Sequence, residues 1–394
     1  MTGKIILVCI IVLIIAIIGT AFALWGNEAL SLLSIRKLRE RNDEHLDGAV
    51  YQMTVHGGFY LEDFIAQGGV SSDQELAEFV EGKITKGLME LGIKPPKVGC
   101  SSFTAKTPEG KCLFARNYDF DKTNTCIVKT CARKGRHATV STVDLRSASL
   151  DTEKDPDKFS DRVRFLAAPY LPLDGINDAG VACGIYMSYQ GAIERATDQK
   201  TDRPDLTSTV LLRMILDYAD NVEEAIEIAS SYDLHDSSNS TYQYMVADKE
   251  GNSAVLCWVG GKLNAEDNDP TARELVVLRG ESEDNICGTD FQAVTNFVPI
   301  KGFYGNATPP NGWEAFTTIC DTLRETNGIM ADEKEAMKLL EKVGKRKTMP
   351  GRKNCTPHSA VYNLTDCSVL WVPNEHFDEK DAEITISLKP DRKK

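Results

Sequence analysis

The stretch Cys100-Ser101-Ser102-Phe103-Thr104-Ala105-Lys106-Thr107-Pro108-Glu109-Gly110-Lys111-Cys112-Leu113-Phe114-Ala115-Arg116-Asn117 decides how the rest of the chain is read. Thr107-Pro108-Glu109-Gly110 is a turn. Pro108 sits where a fixed φ suits the second turn position, and Gly110 fits the fourth. The flanks, Cys100 to Thr104 and Lys111 to Asn117, read as strands, so a β-hairpin opens here. Pro95-Pro96 ahead of it makes a stiff, extended linker that ends in Val98-Gly99.

Upstream, residues 26 to about 97 read as a helical leader. Ser72-Asp73-Gln74-Glu75 has the form of a helix start, and Leu76, Phe79, Val80, Ile84, Leu88 and Leu91 then recur at helical spacing. Residues 5–24 form one unbroken run of apolar and small residues. About 20 such residues can span a bilayer core. A cleaved secretory signal has a shorter core, and Ala21-Phe22-Ala23 fits a cleavage site, so anchor and signal both stay open. The protein is therefore expected to be membrane-anchored or secreted, meeting a membrane through residues 5–24. Arg36, Lys37, Arg39 and Arg41 would pull their side of the span toward the cytoplasm. The expected division is 1–25 signal or anchor, 26–99 leader or propeptide, and 100–394 one domain.

Downstream, residues 126–145 and Ala179 to Tyr189 read as strands. Thr207 to Tyr218 and Val222 to Ser231 are amphipathic helices. Tyr242 to Ala247 and Ser253 to Trp258 pair as a hairpin, and Leu275 to Leu278 is a short strand. Glu314 to Glu325 and Ala331 to Val343 are helical, and Ser359 to Tyr362 and Val369 to Val372 close the chain as strands. Strands, a helix pair and strands again predict an α+β domain of layered sheets and helices.

The 394 residues carry a net charge of −13, which repels nucleic acid and anionic lipid. The short basic cluster Lys345 to Lys347 reads as a solvated turn. Eleven cysteines are present, one of them Cys9 in the apolar run. That is too sparse for a disulfide framework, although Cys126 and Cys131 could close a loop. No cysteine, histidine and carboxylate cluster has ligand spacing, so neither metal nor cofactor is expected. Sequons lie at Asn239, Asn306, Asn354 and Asn363.

Cys100 is singled out by its place. It follows the linker and starts the first strand, and Arg116 and Asp119 lie on or just beyond the partner strand. An arginine beside a thiol favours the reactive thiolate. Read together, Cys100-Ser101-Ser102-Phe103, Arg116-Asn117-Tyr118-Asp119-Phe120, Asn177-Asp178-Ala179-Gly180-Val181 and Thr295-Asn296-Phe297 resemble the choloylglycine hydrolase family. Bile salt hydrolases and penicillin V acylases belong to that family. The resemblance spans roughly residues 98–375.

The resemblance implies a four-layer αββα sandwich of the N-terminal-nucleophile hydrolase type. It implies hydrolysis of a linear, non-peptide amide (C–N) bond, with an N-acyl amide as the small-molecule partner. Cys100 would attack the carbonyl and hold the acyl group as a thioester. Its own α-amine, titrating near pH 7.7–8.0, would serve as base. Arg116 would lower the thiol pKa, Asp119 would orient the α-ammonium, and Asn177 and Asn296 would donate to the oxyanion. Arg352 is the nearest candidate for a further late arginine. The mechanism needs cleavage between Gly99 and Cys100, because only then is the amine free. Acyl transfer through the same thioester, or a silent membrane-tethered binding protein of this fold, are the rival readings. The oligomeric state is left open, a homo-oligomer included.

Overall fold

The computed structural model describes residues 2–94, 99–190, 195–260, 269–288, 290–309, 311–345 and 354–389. The Pro95-Pro96 linker, Arg352 and most of the Lys345 to Lys347 cluster lie outside the described residues. Eight helices are described: α1 (Thr2–Leu33), α2 (Leu61–Ala66), α3 (Asp73–Ile84), α4 (Phe159–Arg164), α5 (Ser208–Tyr218), α6 (Val222–Ser230), α7 (Trp313–Glu325) and α8 (Glu333–Val343). The strands begin with β1 (Arg36–Arg39), β2 (Val50–Val55), β3 (Gly99–Lys106), β4 (Cys112–Asp121), β5 (Thr125–Thr130), β6 (Thr139–Asp144), β7 (Asp174–Asn177) and β8 (Ala182–Met187). They continue with β9 (Asp205–Thr207), β10 (Asp233–His235), β11 (Tyr242–Ala247), β12 (Ser253–Val259), β13 (Glu274–Arg279), β14 (Ala293–Val294), β15 (Asn354–Asn363), β16 (Ser368–Pro373) and β17 (Ile384–Ser387).

The strands form two large sheets and a small pair, β10-β9. One sheet runs β1-β2-β5-β6-β7-β8-β11-β12-β13, and the other runs β14-β3-β4-β15-β16-β17. Helices α5 and α6 pack on β7, β8, β11 and β12, while α7 and α8 pack on β3, β4, β14 and β15. Between the sheets, Trp371 Nε1 donates to Thr142 Oγ1 at 3.2 Å and Tyr118 Oη to Asp144 Oδ2 at 2.6 Å. The layer order is therefore helices, sheet, sheet, helices, the αββα sandwich that the resemblance implies. Almost every residue of β4, β6, β7, β8 and β11 is buried, because each of these strands is covered on both faces.

The β3–β4 hairpin forms where its turn residues predict it. Gly110 takes φ +83°, its N–H donates to Thr107 O at 2.8 Å, and Thr107 N–H donates to Lys111 O at 2.9 Å. Side chains alternate along β4 with the strand period of two. Arg116 and Tyr118 point between the sheets, whereas Asn117 points to the helical layer and donates to Leu340 O at 2.7 Å. Cys100 pairs with Tyr118 in register, and Ser102 pairs with Arg116.

Two features upstream of the hairpin depart from a purely helical leader. Arg36–Arg39 and Val50–Val55 are strands, and β2 runs parallel to β5 over six residue pairs. The burial of Val50, Tyr51, Met53 and Val55 explains this, since a β-branched and aromatic run fits a covered pleat better than an amphipathic helix. The expected helix start is present: Ser72 accepts from Glu75 N–H at 3.2 Å and caps α3. That helix stops at Ile84, so Leu88 lies outside it and is exposed. At the N-terminus, Lys4–Leu33 is long and apolar enough to cross a membrane. Backbone geometry at Trp25 breaks the helix, and the Trp25 indole donates to Ile84 O at 2.9 Å. The helix is thus fastened to α3 just beyond its apolar part.

Cys126 and Cys131 are both unbridged thiols. They do not close a loop. Cys126 is buried in β5 and Cys131 lies just past its end, and at about 3.3 Å per residue they stand well beyond disulfide reach.

Candidate active site

Cys100 is the second residue of β3 and is 2% exposed. Its sulfur accepts from Arg116 Nη2 at 3.1 Å, and its backbone N–H donates to Asn296 Oδ1 at 2.9 Å. Antiparallel pairing brings Arg116 there, because it lies two residues from the register partner of Cys100 on the same pleat face. Asn296 arrives from the segment after β14, which pairs with β3 through Val294 and Ser102. Asn296 Nδ2 donates to Met187 O at 3.3 Å.

Burial pushes the Cys100 thiol up to about 12, against the pull of the Arg116 guanidinium. The sulfur is therefore held as a neutral thiol. Arg116 is itself wholly buried and donates from Nε to Asp174 Oδ2 at 2.8 Å and from Nη2 to Ile185 O at 2.7 Å. Its guanidinium lies 4.4 Å from the centre of the Tyr186 ring.

Asp119 lies on the opposite pleat face from Arg116, paired in register with Gly99. Its Oδ1 accepts from Thr356 Oγ1 at 2.6 Å. Burial raises its pKa to about 6, opposed by the Thr356 hydroxyl and the Lys345 ammonium. Asp119 thus stands beside the Gly99–Cys100 backbone, and its carboxylate also acts on the thiol.

Asn177 is not part of this group. Its Nδ2 donates to Leu216 O at 3.1 Å and Ala219 O at 2.8 Å, and its Oδ1 accepts from the N–H groups of Ala179 and Val181. Both amide hydrogens are committed to backbone carbonyls of α5 and its exit, so none is left for an oxyanion. The turn preference of asparagine accounts for this residue completely.

A cavity of ≈ 210 Å³ opens beside Cys100. Phe120, Met187, Tyr189 and Ala315 supply apolar wall, and Asp119, Asn296, Asn311, Lys345 and Asn354 supply polar wall. Sequence reasoning did not single out Asp174, Tyr186 or Thr356, and it read Lys345 as part of a solvated turn, whereas the structure puts Lys345 in the cavity wall. His358, on β15, reaches the same interface between the sheets. Its Nε2 donates to Asp174 Oδ2 at 2.8 Å, and its ring stacks between Tyr118 and Trp371. His358 is committed to a carboxylate, so it is not a base for the thiol.

A buried cysteine thus opens a strand of an αββα sandwich, with an arginine on its sulfur and an asparagine on its nitrogen. Residues 100–272 match the linear amide C-N hydrolases, choloylglycine hydrolase family. No curated protein matches the chain. Among solved structures, a mutant conjugated bile acid hydrolase from Clostridium perfringens is similar at 15% identity and TM-score 0.47, covering 73% of this chain and 92% of its own. Penicillin V acylase from Agrobacterium tumefaciens is similar at 13% identity and TM-score 0.41, covering 70% and 83%. The Caenorhabditis elegans ortholog of N-acylethanolamine-hydrolyzing acid amidase is similar at 18% identity and TM-score 0.41, covering 68% and 93%.

Proposed function

We propose that the protein hydrolyses a linear amide through Cys100, after the chain is cut between Gly99 and Cys100. The observation that carries this reading is the pair of contacts on Cys100: Arg116 at the sulfur and Asn296 at the nitrogen. Cleavage converts that nitrogen from an amide, which is no base, into an α-amine that titrates near pH 7.7–8.0. The amine takes the thiol proton as the sulfur adds to the substrate carbonyl. The carbonyl–nitrogen bond then breaks, and the same proton leaves with the amine product. Water, deprotonated by the α-amine, then opens the thioester to the free acid.

Arg116 stabilises the thiolate, and Asp119 orients the new ammonium from the other side of the backbone. Asn296 spans both needs. Its Oδ1 already faces the Cys100 nitrogen, and its Nδ2 is held at 3.3 Å by Met187 O, a long contact that an oxyanion can replace. A cavity of ≈ 210 Å³ is small for a whole drug-sized ligand and suits the reacting end of an acyl amide against Phe120, Met187 and Tyr189. The anchor reading of residues 5–24 gives the enzyme a membrane address, with the body fastened at Trp25.

Intact mass and N-terminal sequencing of the purified protein, together with release of amine from a panel of N-acyl amides, test the reading. The expected result is a chain that begins at Cys100, and activity that disappears in Cys100→Ala. Full activity from an uncut chain overturns the mechanism.

A further inference from the structure

We propose that Asp174 is a positioning residue for this reaction: it aims the Arg116 guanidinium at Cys100 Sγ and sets how much positive charge the sulfur feels. The inference rests on the reading of Cys100 as nucleophile. Asp174 opens β7 in the sheet facing β4 and is wholly buried. Its Oδ2 accepts from Arg116 Nε at 2.8 Å and His358 Nε2 at 2.8 Å, and its Oδ1 accepts from Tyr362 Oη at 2.5 Å. Three donors from β4 and β15 therefore meet one carboxylate across the interface between the sheets. A carboxylate without them would not stay ionised there.

The aim follows from what is left to Arg116. Asp174 fixes Nε, Ile185 O takes one Nη2 hydrogen, and the Tyr186 ring covers one face. The remaining Nη2 hydrogen points at the sulfur. Gly184 makes room for this packing, since a Cβ there would lie 2.7 Å from both Arg116 Nη1 and Tyr186 Oη. The charge control follows from proximity. The guanidinium draws the thiol toward thiolate, and the Asp174 carboxylate beside it, like that of Asp119, opposes that pull. The other titratable groups near the thiol are Tyr118 and Asp119 on β4 and Tyr186 on β8, with Lys345 in the wall of the same cavity.

The test is the rate of iodoacetamide alkylation of Cys100 in the purified protein, read by peptide mass spectrometry between pH 6 and 9. Cys126, buried in β5, serves as the internal control for loosening. Asp174→Asn keeps an acceptor for Arg116 Nε and removes the negative charge. It is expected to alkylate about three- to tenfold faster at each pH, with Cys126 unchanged. Tyr362→Phe removes one donor from Asp174, leaves its charge less neutralised, and is expected to alkylate more slowly. An unchanged or slower rate in Asp174→Asn, or equal acceleration at Cys126, overturns the proposal. If Asp174→Asn fails to fold, a wild-type rate in Tyr362→Phe overturns it. The assay uses no substrate, so shifted alkylation without amidase activity leaves Asp174 as proposed and counts against the hydrolase reading alone. A Cys100 that never alkylates overturns both.

Discussion

The backbone N–H of Cys100 and the side chain of Asn296, 196 residues apart, meet at 2.9 Å. The bond holds the nitrogen that would become the α-amine while the thiol is still buried and neutral. Asn296 is thus poised before any cut is made, and its removal should be felt in chemistry more than in binding. Asn296→Ala is expected to lower kcat for amide hydrolysis by about 10²–10³-fold with a much smaller change in KM, since one oxyanion-type donor is worth that much. Steady-state kinetics on any accepted amide check this. Equal losses in Asn296→Ala and Asn177→Ala would contradict the separation of the two asparagines.

Cleavage before Cys100 should not release the segment upstream of it. Strand β2 pairs with β5 over six residues in the large sheet, with Met53 and Val50 fully buried. Tyr51 packs edge-on against Phe165 at 5.4 Å, and the Asn374 amide brackets Gly48 from the far end of the chain. Each fully buried side chain of this kind contributes about 1.5–3 kcal/mol. The two pieces are expected to co-elute on size exclusion under native conditions and to separate only in denaturant. Loss of the smaller piece in native buffer would contradict this.

Asp119 gives a pH dependence with a definite sign. Burial raises its pKa to about 6, from an unfolded value near 3.9. The native state therefore binds this proton more tightly than the unfolded state does. Its contribution to stability is fully present below the unfolded pKa and is lost as pH rises through about 6. The loss is on the order of 2–3 kcal/mol. Urea unfolding between pH 4 and 7 should show wild type losing stability relative to Asp119→Asn as pH rises. Catalysis runs the other way. Orientation of the ammonium needs the carboxylate, so kcat/KM should fall below about pH 6, and that acid limb should be missing from the residual activity of Asp119→Asn.

The hairpin, the paired helices α5 and α6 and the cap on α3 were legible because each is set by local chemistry: turn residues, a 3.6-residue apolar period and Ser72. Cys100, Arg116 and Asp119 were legible for a related reason, since one hairpin carries all three and its register fixes their faces. Asn177 misled, because a short asparagine turn looks the same whether its amide serves backbone or substrate. Strands β1 and β2 were hidden in a stretch whose leucines and charges suggested helix, and only pairing with β5 reveals them. Asp174, His358 and Tyr186 could not be found from sequence. Their meaning lies in contacts between two sheets, such as Arg116 to Asp174, 58 residues away.

The Trp25 contact bears on where the apolar run parts from the folded body. Residues 5–24 expose nearly all their large apolar side chains, whereas from Trp25 onward α1 engages the body. The Trp25 indole donates to Ile84 O, Ser31 is buried and accepts from His56 N–H at 2.8 Å, and Ser34 Oγ donates to Thr54 O at 2.9 Å. These bonds tie the helix end to α3 and β2 without help from the apolar run. Deleting residues 2–24 is therefore expected to move the protein from the membrane fraction to the soluble fraction while shifting Tm by less than about 3 °C, the effect of roughly 1 kcal/mol in a chain of this size. Deletion through residue 34 removes all three contacts and should lower Tm by a clearly larger amount. Fractionation and thermal unfolding of the two truncations decide it. A large Tm loss from the shorter deletion would mean that the apolar helix packs on the body instead of entering a bilayer.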